Sequence, residues 1–322
     1  MRRRTFIAAL GSTAATWPFA VRAQQAKIHR VGYLWIGSPE PETNVSKGMK
    51  KGLAERGYVL DRDLIFDALF AEGKPERFPA LIAEMLASGA DVLVPLGNTA
   101  ALAAHKATAT VPIVCGGSDD LVGIGLAASL ARPGGNVTGI DVQAVDYRAK
   151  WLEILKAVAP NVRSVAVLAD ANETPAVVKL KDAAPRFGVT PTFLSSLPSD
   201  FDASLAAIAS GRFDGLIVND NPSLFPLTPR IAELVAESRT PAVYGVAGEA
   251  RIGGLIAYSF DAFDAWLRVA DFVDRILKGA HAGDLPIEHP TKFLLVINLK
   301  TAKALGIDIP PALLAAADEV IE

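Results

Sequence analysis

The residues of this chain best placed for chemistry are carboxylates and small polar groups that stand directly after short apolar runs. "VPIVC" leads into Gly116, Gly117, Ser118, Asp119 and Asp120, and "GLIV" leads through Asn219 into Asp220 and Asn221. "SVAVLA" precedes Asp170, Asn172, Glu173 and Thr174, and "DVLVPL" precedes Gly97, Asn98 and Thr99. "RVGYLWI" precedes Gly37, Ser38 and Pro39, and "TPAV" precedes Tyr244 and Gly245. Carboxylates gathered in this way hold an ammonium group, for which Asp119, Asp120, Glu173 and Asp220 are the candidates. Each taken alone also reads as an ordinary exposed turn acid. Asn98 and Thr99 open a helical run, where free backbone N–H groups and the helix dipole favour an anion such as a carboxylate. One of the two is expected to cap that helix. Tyr33, Trp35, Phe225, Tyr244 and Tyr258 are the aromatic residues near these segments, and Tyr244 is the foremost candidate to grip a ligand ring.

Other chemistries lack their residues. The four histidines, His29, His105, His281 and His289, adjoin no G-x-S-x-G elbow, and "GGSDD" lacks the second glycine of one. No Cys/His spacing suggests zinc, "SDD" falls short of a calcium loop, and the single Cys115 lies inside an apolar run. No metal and no cofactor is expected. The glycine run "ARPGGNVTGI" does not cradle a phosphate, because Gly139 is followed by Ile140, Asp141 and Val142 rather than by Lys and Ser/Thr. It also leaves a helical segment and enters an extended one, the reverse of a dinucleotide loop. Pro133 stops the helix and Gly134-Gly135 supply a turn, so the run is a corner.

These polar stretches recur because apolar β-type runs alternate with helical runs throughout, the pattern of a parallel sheet covered on both faces. The order also repeats. "GADVLVPLGN" aligns with "RFDGLIVNDN", and "TATVPIVCGG" with "ESRTPAVYGV". Two doubly wound α/β lobes side by side follow, with their strand-end loops facing one another across a cleft, where ligands of such sheets bind. Residues 27–140 with 258–288 are expected to form lobe one, and residues 141–257 with 289–322 lobe two, joined by a multi-strand hinge.

With 322 residues, half of them hydrophobic and a fifth charged, the chain can bury two ordinary cores. A net charge of -3 gives no basic face for nucleic acid. "MRRRTFIAALGSTAATWPFAVRAQQ" has a charged start, a modest apolar run and the small-x-small step Val21-Arg22-Ala23. Residues 1–23 are therefore expected to be an export signal peptide of twin-arginine type. The mature chain would begin near Gln24 as a soluble, monomeric resident of the periplasm.

"RPGGNVTG", "GLAERGY" and "PTKFLLVINLKTAKALGIDIPPALLAAADEVIE" resemble the substrate-binding protein family of ABC transporters, of the tryptophan/tyrosine-binding type. The resemblance covers essentially the whole chain, and members often carry a leader like "RRRTFIAALGS…WPFAVRAQ". It implies a type I periplasmic-binding-protein fold and a small-molecule solute, often an aromatic amino acid, enclosed between lobes. It also implies delivery to an inner-membrane permease with its ATPase. Family members often show an Asp-Pro step near "GGSDDLVGIG", where this chain has Asp119-Asp120. The competing reading is an exported α/β hydrolase-like enzyme working in the same cleft.

Overall fold

The computed structural model describes residues 27–39, 44–142, 147–169, 175–197, 199–220, 224 and 227–322. The first lobe runs β1 (His29–Trp35), α1 (Asn44–Glu55), β2 (Leu64–Phe70), α2 (Phe78–Ala87), β3 (Val92–Pro95), α3 (Asn98–Ala107), β4 (Ile113–Ser118) and β5 (Val137–Asp141). The chain then enters α4 (Tyr147–Val158), β6 (Ser164–Ala169), α5 (Pro175–Ala183), β7 (Thr190–Ser195), α6 (Phe201–Ala209), β8 (Gly215–Val218), α7 (Thr228–Ser238), β9 (Ala242–Tyr244), α8 (Ala247–Arg251) and β10 (Ile256–Phe260). α9 (Ala262–Leu277) returns to the first lobe. β11 (Phe293–Asn298), α10 (Leu299–Leu305), α11 (Pro311–Ala315) and β12 (Glu319–Ile321) complete the second. The expected leader, residues 1–23, lies outside the described residues. Among the described residues no helix is long and apolar enough to cross a membrane.

The strand order is β2-β1-β3-β4-β5 in one sheet and β7-β6-β8-β9-β10-β11-β12 in the other. The first five strands of each follow the same plan, so the repeat read from sequence is a repeat of topology. Central strands such as β3 and β8 are buried on both faces, which explains their unbroken apolar runs. At the edge, β7 alternates exposed and half-buried residues and tolerates Pro191. β11 is antiparallel to β10, and β12 parallel to β11.

Two lobe boundaries differ from the sequence expectation. Residues 258–260 fall in lobe two, because Tyr258 and its neighbours in β10 pair with β9 and β11. The return crossing therefore begins at Asp261, whose side chain caps α9 by accepting the Asp264 N–H. Asp141 pairs with Ser118 in the first sheet, so β5 carries lobe one one residue further than expected. The glycine run is a corner, but the expected helix before Pro133 is absent: residues 121–132 form turns and bends instead. Gly134 and Gly135 have φ of 68° and 60°, and the Gly134 N–H donates to Gly283 O at 3.0 Å.

Helix α9 brings Trp266, Val269, Ala270 and Val273 into the lobe-one core, and it lies against α1. Two glycines permit that approach: a Cβ on Gly52 would lie 2.6 Å from Ala270 Cβ, and one on Gly48 2.6 Å from Phe263 O. Gly52→Ala gains about 1 kcal/mol of helix propensity but forces an overlap that costs about 1–3 kcal/mol. Net destabilisation is therefore expected in urea unfolding, with recovery in the Gly52→Ala/Ala270→Gly double variant. Stabilisation by Gly52→Ala alone would show that the two helices do not close on one another.

Candidate functional site

The carboxyl ends of β4 and β8 place one carboxylate from each lobe at a common point. On the lobe-one side, Asp119 leaves β4 in a loop fixed by two neighbours. Asn98 at the start of α3 donates its Nδ2 to Asp119 O (2.9 Å) and accepts the Asp119 N–H at Oδ1 (2.8 Å). Asp141, at the end of β5, accepts the Asp120 and Leu121 N–H groups at 3.2 and 2.9 Å. Asp120 takes a φ of 54°, and its side chain accepts the Gly123 N–H at 2.9 Å, so it builds the turn that presents Asp119. On the lobe-two side, Asp220 follows β8 and accepts a hydrogen bond from the Tyr147 hydroxyl.

Arg148, in the first turn of α4, ties these together. Its Nη2 lies 3.0 and 3.1 Å from the Asp119 carboxylate oxygens and 2.9 Å from Asp220 Oδ2. The Arg148 side chain is 2% exposed and that of Asp220 9%. Its guanidinium carbon stands 4.9 Å from the Tyr147 ring centre and 5.9 Å from that of Trp151, within cation–π range. Burial pushes the Asp119 carboxyl up to about 6 against the pull of Arg148, and the Asp220 charge adds to the rise. Burial also raises the Tyr147 hydroxyl well above its ordinary range, as does the neighbouring Asp220 charge. Buried charges of this kind persist only when compensated, and one guanidinium here compensates two carboxylates. Its Nε–H is buried without a partner among the described residues.

The segments that cross between lobes are joined to one another by ion pairs and hydrogen bonds. Asp261 pairs with Lys292 at 2.7 Å, and its N–H donates to Lys292 O at 2.8 Å. Arg268 pairs with Glu288 and donates to His289 O at 2.8 Å, while His289 Nδ1 lies 2.8 Å from Asp141 O. Trp151 Nε1 donates to Tyr258 O at 2.7 Å, joining α4 to β10 just before a crossing.

The other expected site residues are distributed unevenly. Asp119, Asp220 and Asn98 meet as described. The expected helix cap is not made. Gly97 stands at the N-cap of α3 with a φ of 82° and no side-chain bond, because Asn98 is spent on Asp119. Thr99 is exposed at the same helix start, and Ser38 is exposed beyond β1. Gly37 is buried, and a Cβ there would lie 2.6 Å from the Trp35 ring, so the glycine makes room for the indole. Trp35 itself is core, 6% exposed and edge-on to Phe70 at 6.1 Å. Ser118 is fully buried, and its Oγ has no partner among the described residues. Asp170, Asn172, Glu173, Thr174, Asn221 and Phe225 lie outside the described residues.

Tyr244 faces the lobe-two core. It was the foremost aromatic candidate, yet it is fully buried in the lobe-two core. A Cβ on Gly254, ahead of β10, would lie 2.8 Å from the Tyr244 ring, so the ring runs back under the sheet. Its burial partner is Glu249, also fully buried, whose carboxylate accepts from Thr228 Oγ1 (3.0 Å) and Val246 N (3.1 Å). The aromatic residues beside the carboxylates are instead Tyr147 and Trp151, with Phe293 5.4 Å from the Tyr147 ring and stacked on Tyr258 at 5.9 Å. Arg148 was missed. Its signal was a charged residue on the buried stripe Tyr147, Trp151, Leu152 and Leu155 of α4.

The profile of ABC transporter substrate binding proteins matches residues 38–321. The tyrosine-binding protein of Clostridioides difficile (strain R20291) is 24% identical over 265 residues, which are 80% of this chain and 75% of that protein. A solved ABC domain from Streptococcus pneumonia, in complex with L-Trp, superposes with a TM-score of 0.84 at 26% identity, over 91% of this chain and 99% of that one. A conserved domain protein of Vibrio cholerae has the same TM-score, 0.84, at 28% identity, over 91% of this chain and all of that one. The two-lobed architecture is that of type I periplasmic binding proteins.

Glu249 gives this region a pH dependence. Burial pushes its carboxyl up to about 8, while in the unfolded chain it titrates near 4.5. The folded protein therefore holds that proton more tightly. Its contribution to stability falls as pH rises from about 4.5 towards about 8 and is level above, with a slope approaching about 1.4 kcal/mol per pH unit. Glu249→Gln is expected to remove this decline, read as the difference between wild-type and variant urea midpoints from pH 5 to pH 9. Parallel curves would show Glu249 to be ionised in the fold.

Proposed function

We propose, from the premise that this chain belongs to the ABC transporter substrate binding protein family, that it is an exported receptor for a small amino-acid-like solute of aromatic character. The solute is held between the lobes and passed to a membrane permease driven by an ATPase. The observation that carries the reading is the meeting of Asp119 and Asp220 from opposite lobes at a buried point beside Tyr147 and Trp151. Carboxylates so placed suit an ammonium group, and the neighbouring rings suit an aromatic side chain. The first-turn N–H groups of α3, ahead of the Ala101 N–H to Gly97 O bond, stand next to Asp119 and suit a carboxylate. The tyrosine-binding relative and the L-Trp complex point to the same class of solute.

In this reading Ser38, Thr99 and Ser118 contribute from lobe one, and Asn172, Glu173, Thr174 and Asn221 from the loops after β6 and β8. Gly37 and Asp120 shape the loops. The crossing segments act as the hinge of residues 27–141 with 261–288 against the remainder. A ligand that touches both lobes favours their closed arrangement by the difference in its affinity for closed and open forms. Residues 1–23 act as the export leader, and the mature chain is a periplasmic monomer.

Titration calorimetry of the chain from Gln24, with L-tyrosine, L-tryptophan and L-leucine, is the test. Saturable binding of an aromatic amino acid that is recovered intact is the expected result. Asp220→Asn should weaken it about 10- to 100-fold, the equivalent of one charge-assisted hydrogen bond of about 1.5–3 kcal/mol. Binding of no α-amino acid, or consumption of the compound, would remove the reading.

A further inference from the structure

We infer that Arg148 is a specificity-determining residue of the interlobe site, presenting its Nε–H to a carboxylate carried by the solute. The inference rests on the solute-binding reading above and narrows it to solutes that bring an anion as well as a cation.

An arginine offers Nε and Nη2 along one planar edge that matches the two oxygens of a carboxylate. Other arginines of this chain use that edge in full. Arg56 presents Nε and Nη2 to Asp271 Oδ1 at 3.3 and 2.8 Å, and Arg251 presents both to Glu319 at 3.1 and 2.6 Å. Arg148 spends Nη2 alone, on Asp119 and Asp220, and leaves Nε buried without a partner among the described residues. A buried N–H without an acceptor is costly, and native proteins retain few of them. Three contacts at Nη2 and the Tyr147 and Trp151 rings hold the guanidinium in place, so the free donor is pre-positioned rather than mobile.

The position of this donor fits the proposed ligand. Asn98, at the start of α3, bonds the backbone of Asp119, and Arg148 bonds its carboxylate. The free N–H groups of α3 and the Nε–H of Arg148 thus flank one residue from the two lobes. A solute carboxylate accepting from both would itself join the lobes. Charge argues the same way. Asp119, Asp220 and Arg148 together carry one excess negative charge, so a solute bearing only a carboxylate adds a second. A solute bearing only an amine leaves Nε unpaired. An α-amino acid satisfies both groups and leaves the charge unchanged.

The test compares L-tyrosine, tyramine, which lacks the carboxylate, and 4-hydroxyphenylpropionate, which lacks the amine, by calorimetry on the full chain and on Arg148→Lys. The lysine keeps a positive charge between Asp119 and Asp220 but removes the Nε donor. Wild type is expected to prefer L-tyrosine over tyramine by at least about tenfold, which is about 1.4 kcal/mol. In Arg148→Lys that preference, read as the ratio of the two affinities on the same protein, should collapse to within about threefold. Equal weakening of both ligands, or an unchanged ratio, overturns the assignment while leaving the amino-acid reading standing. If 4-hydroxyphenylpropionate binds in an Arg148-dependent way and no amino acid binds, the amino-acid reading falls and the assignment of Arg148 stands. If no carboxylate binds wild type, both fall. The unaltered chain supplies a measurement that does not depend on the variant folding. In nitrogen–proton correlation spectra, one arginine Nε–H should move with L-tyrosine but not with tyramine, and a signal indifferent to the carboxylate would count against the assignment.

Discussion

A guanidinium that is 2% exposed and bonded to carboxylates of two different lobes constrains everything around it. Arg148 carries its charge into the interior only because Asp119 and Asp220 meet it there, and the acids, half-buried themselves, give up part of their own hydration. The loops that hold those acids are correspondingly rigid. Asn98 and Asp141 fix the backbone around Asp119, and Tyr147 bonds Asp220 from the same turn of α4 that supplies Arg148.

The architecture makes such a meeting possible. Two sheets share the same order, β2-β1-β3-β4-β5 and β7-β6-β8-β9-β10, and the residues after β4 and β8 meet at Arg148. The chain passes from one sheet to the other at residues 260–262 and again at 288–293. Glycine serves this geometry by letting backbone and rings approach. A Cβ on Gly139 would lie 2.2 Å from Cys115 O, where β5 closes on β4, and one on Gly245 2.6 Å from the Asp220 N. The glycines at these strand ends are occupied by the protein itself, which is why a glycine-rich end is a poor guide to ligand contact.

Membership of a substrate-binding family supplies the class of function. Acids from the two lobes meet at one buried arginine. Tyr244 shows the limit of reasoning by position. It stands at a strand end as Asp119 and Asp220 do, but its side chain is buried beside Glu249.

Much was determined by the sequence alone. Alternating apolar and helical runs dictated α/β lobes, because parallel strands buried on both faces must be apolar throughout. The repeated stretches marked the doubled topology, and the polar residues after the strands included Asp119, Asp220 and Asn98, which the fold brings together. Tertiary structure decided the rest. Whether Tyr258 belonged to one lobe or the other depended on hydrogen bonding to β9 and β11, which no local pattern encodes. The direction of Trp35 and Tyr244 depended on which face of a sheet each side chain took. Arg148 was hidden for a related reason. A cation on an apolar helix face is unstable by itself, and it became intelligible only when two acids distant in sequence were placed against it by the folding of separate lobes.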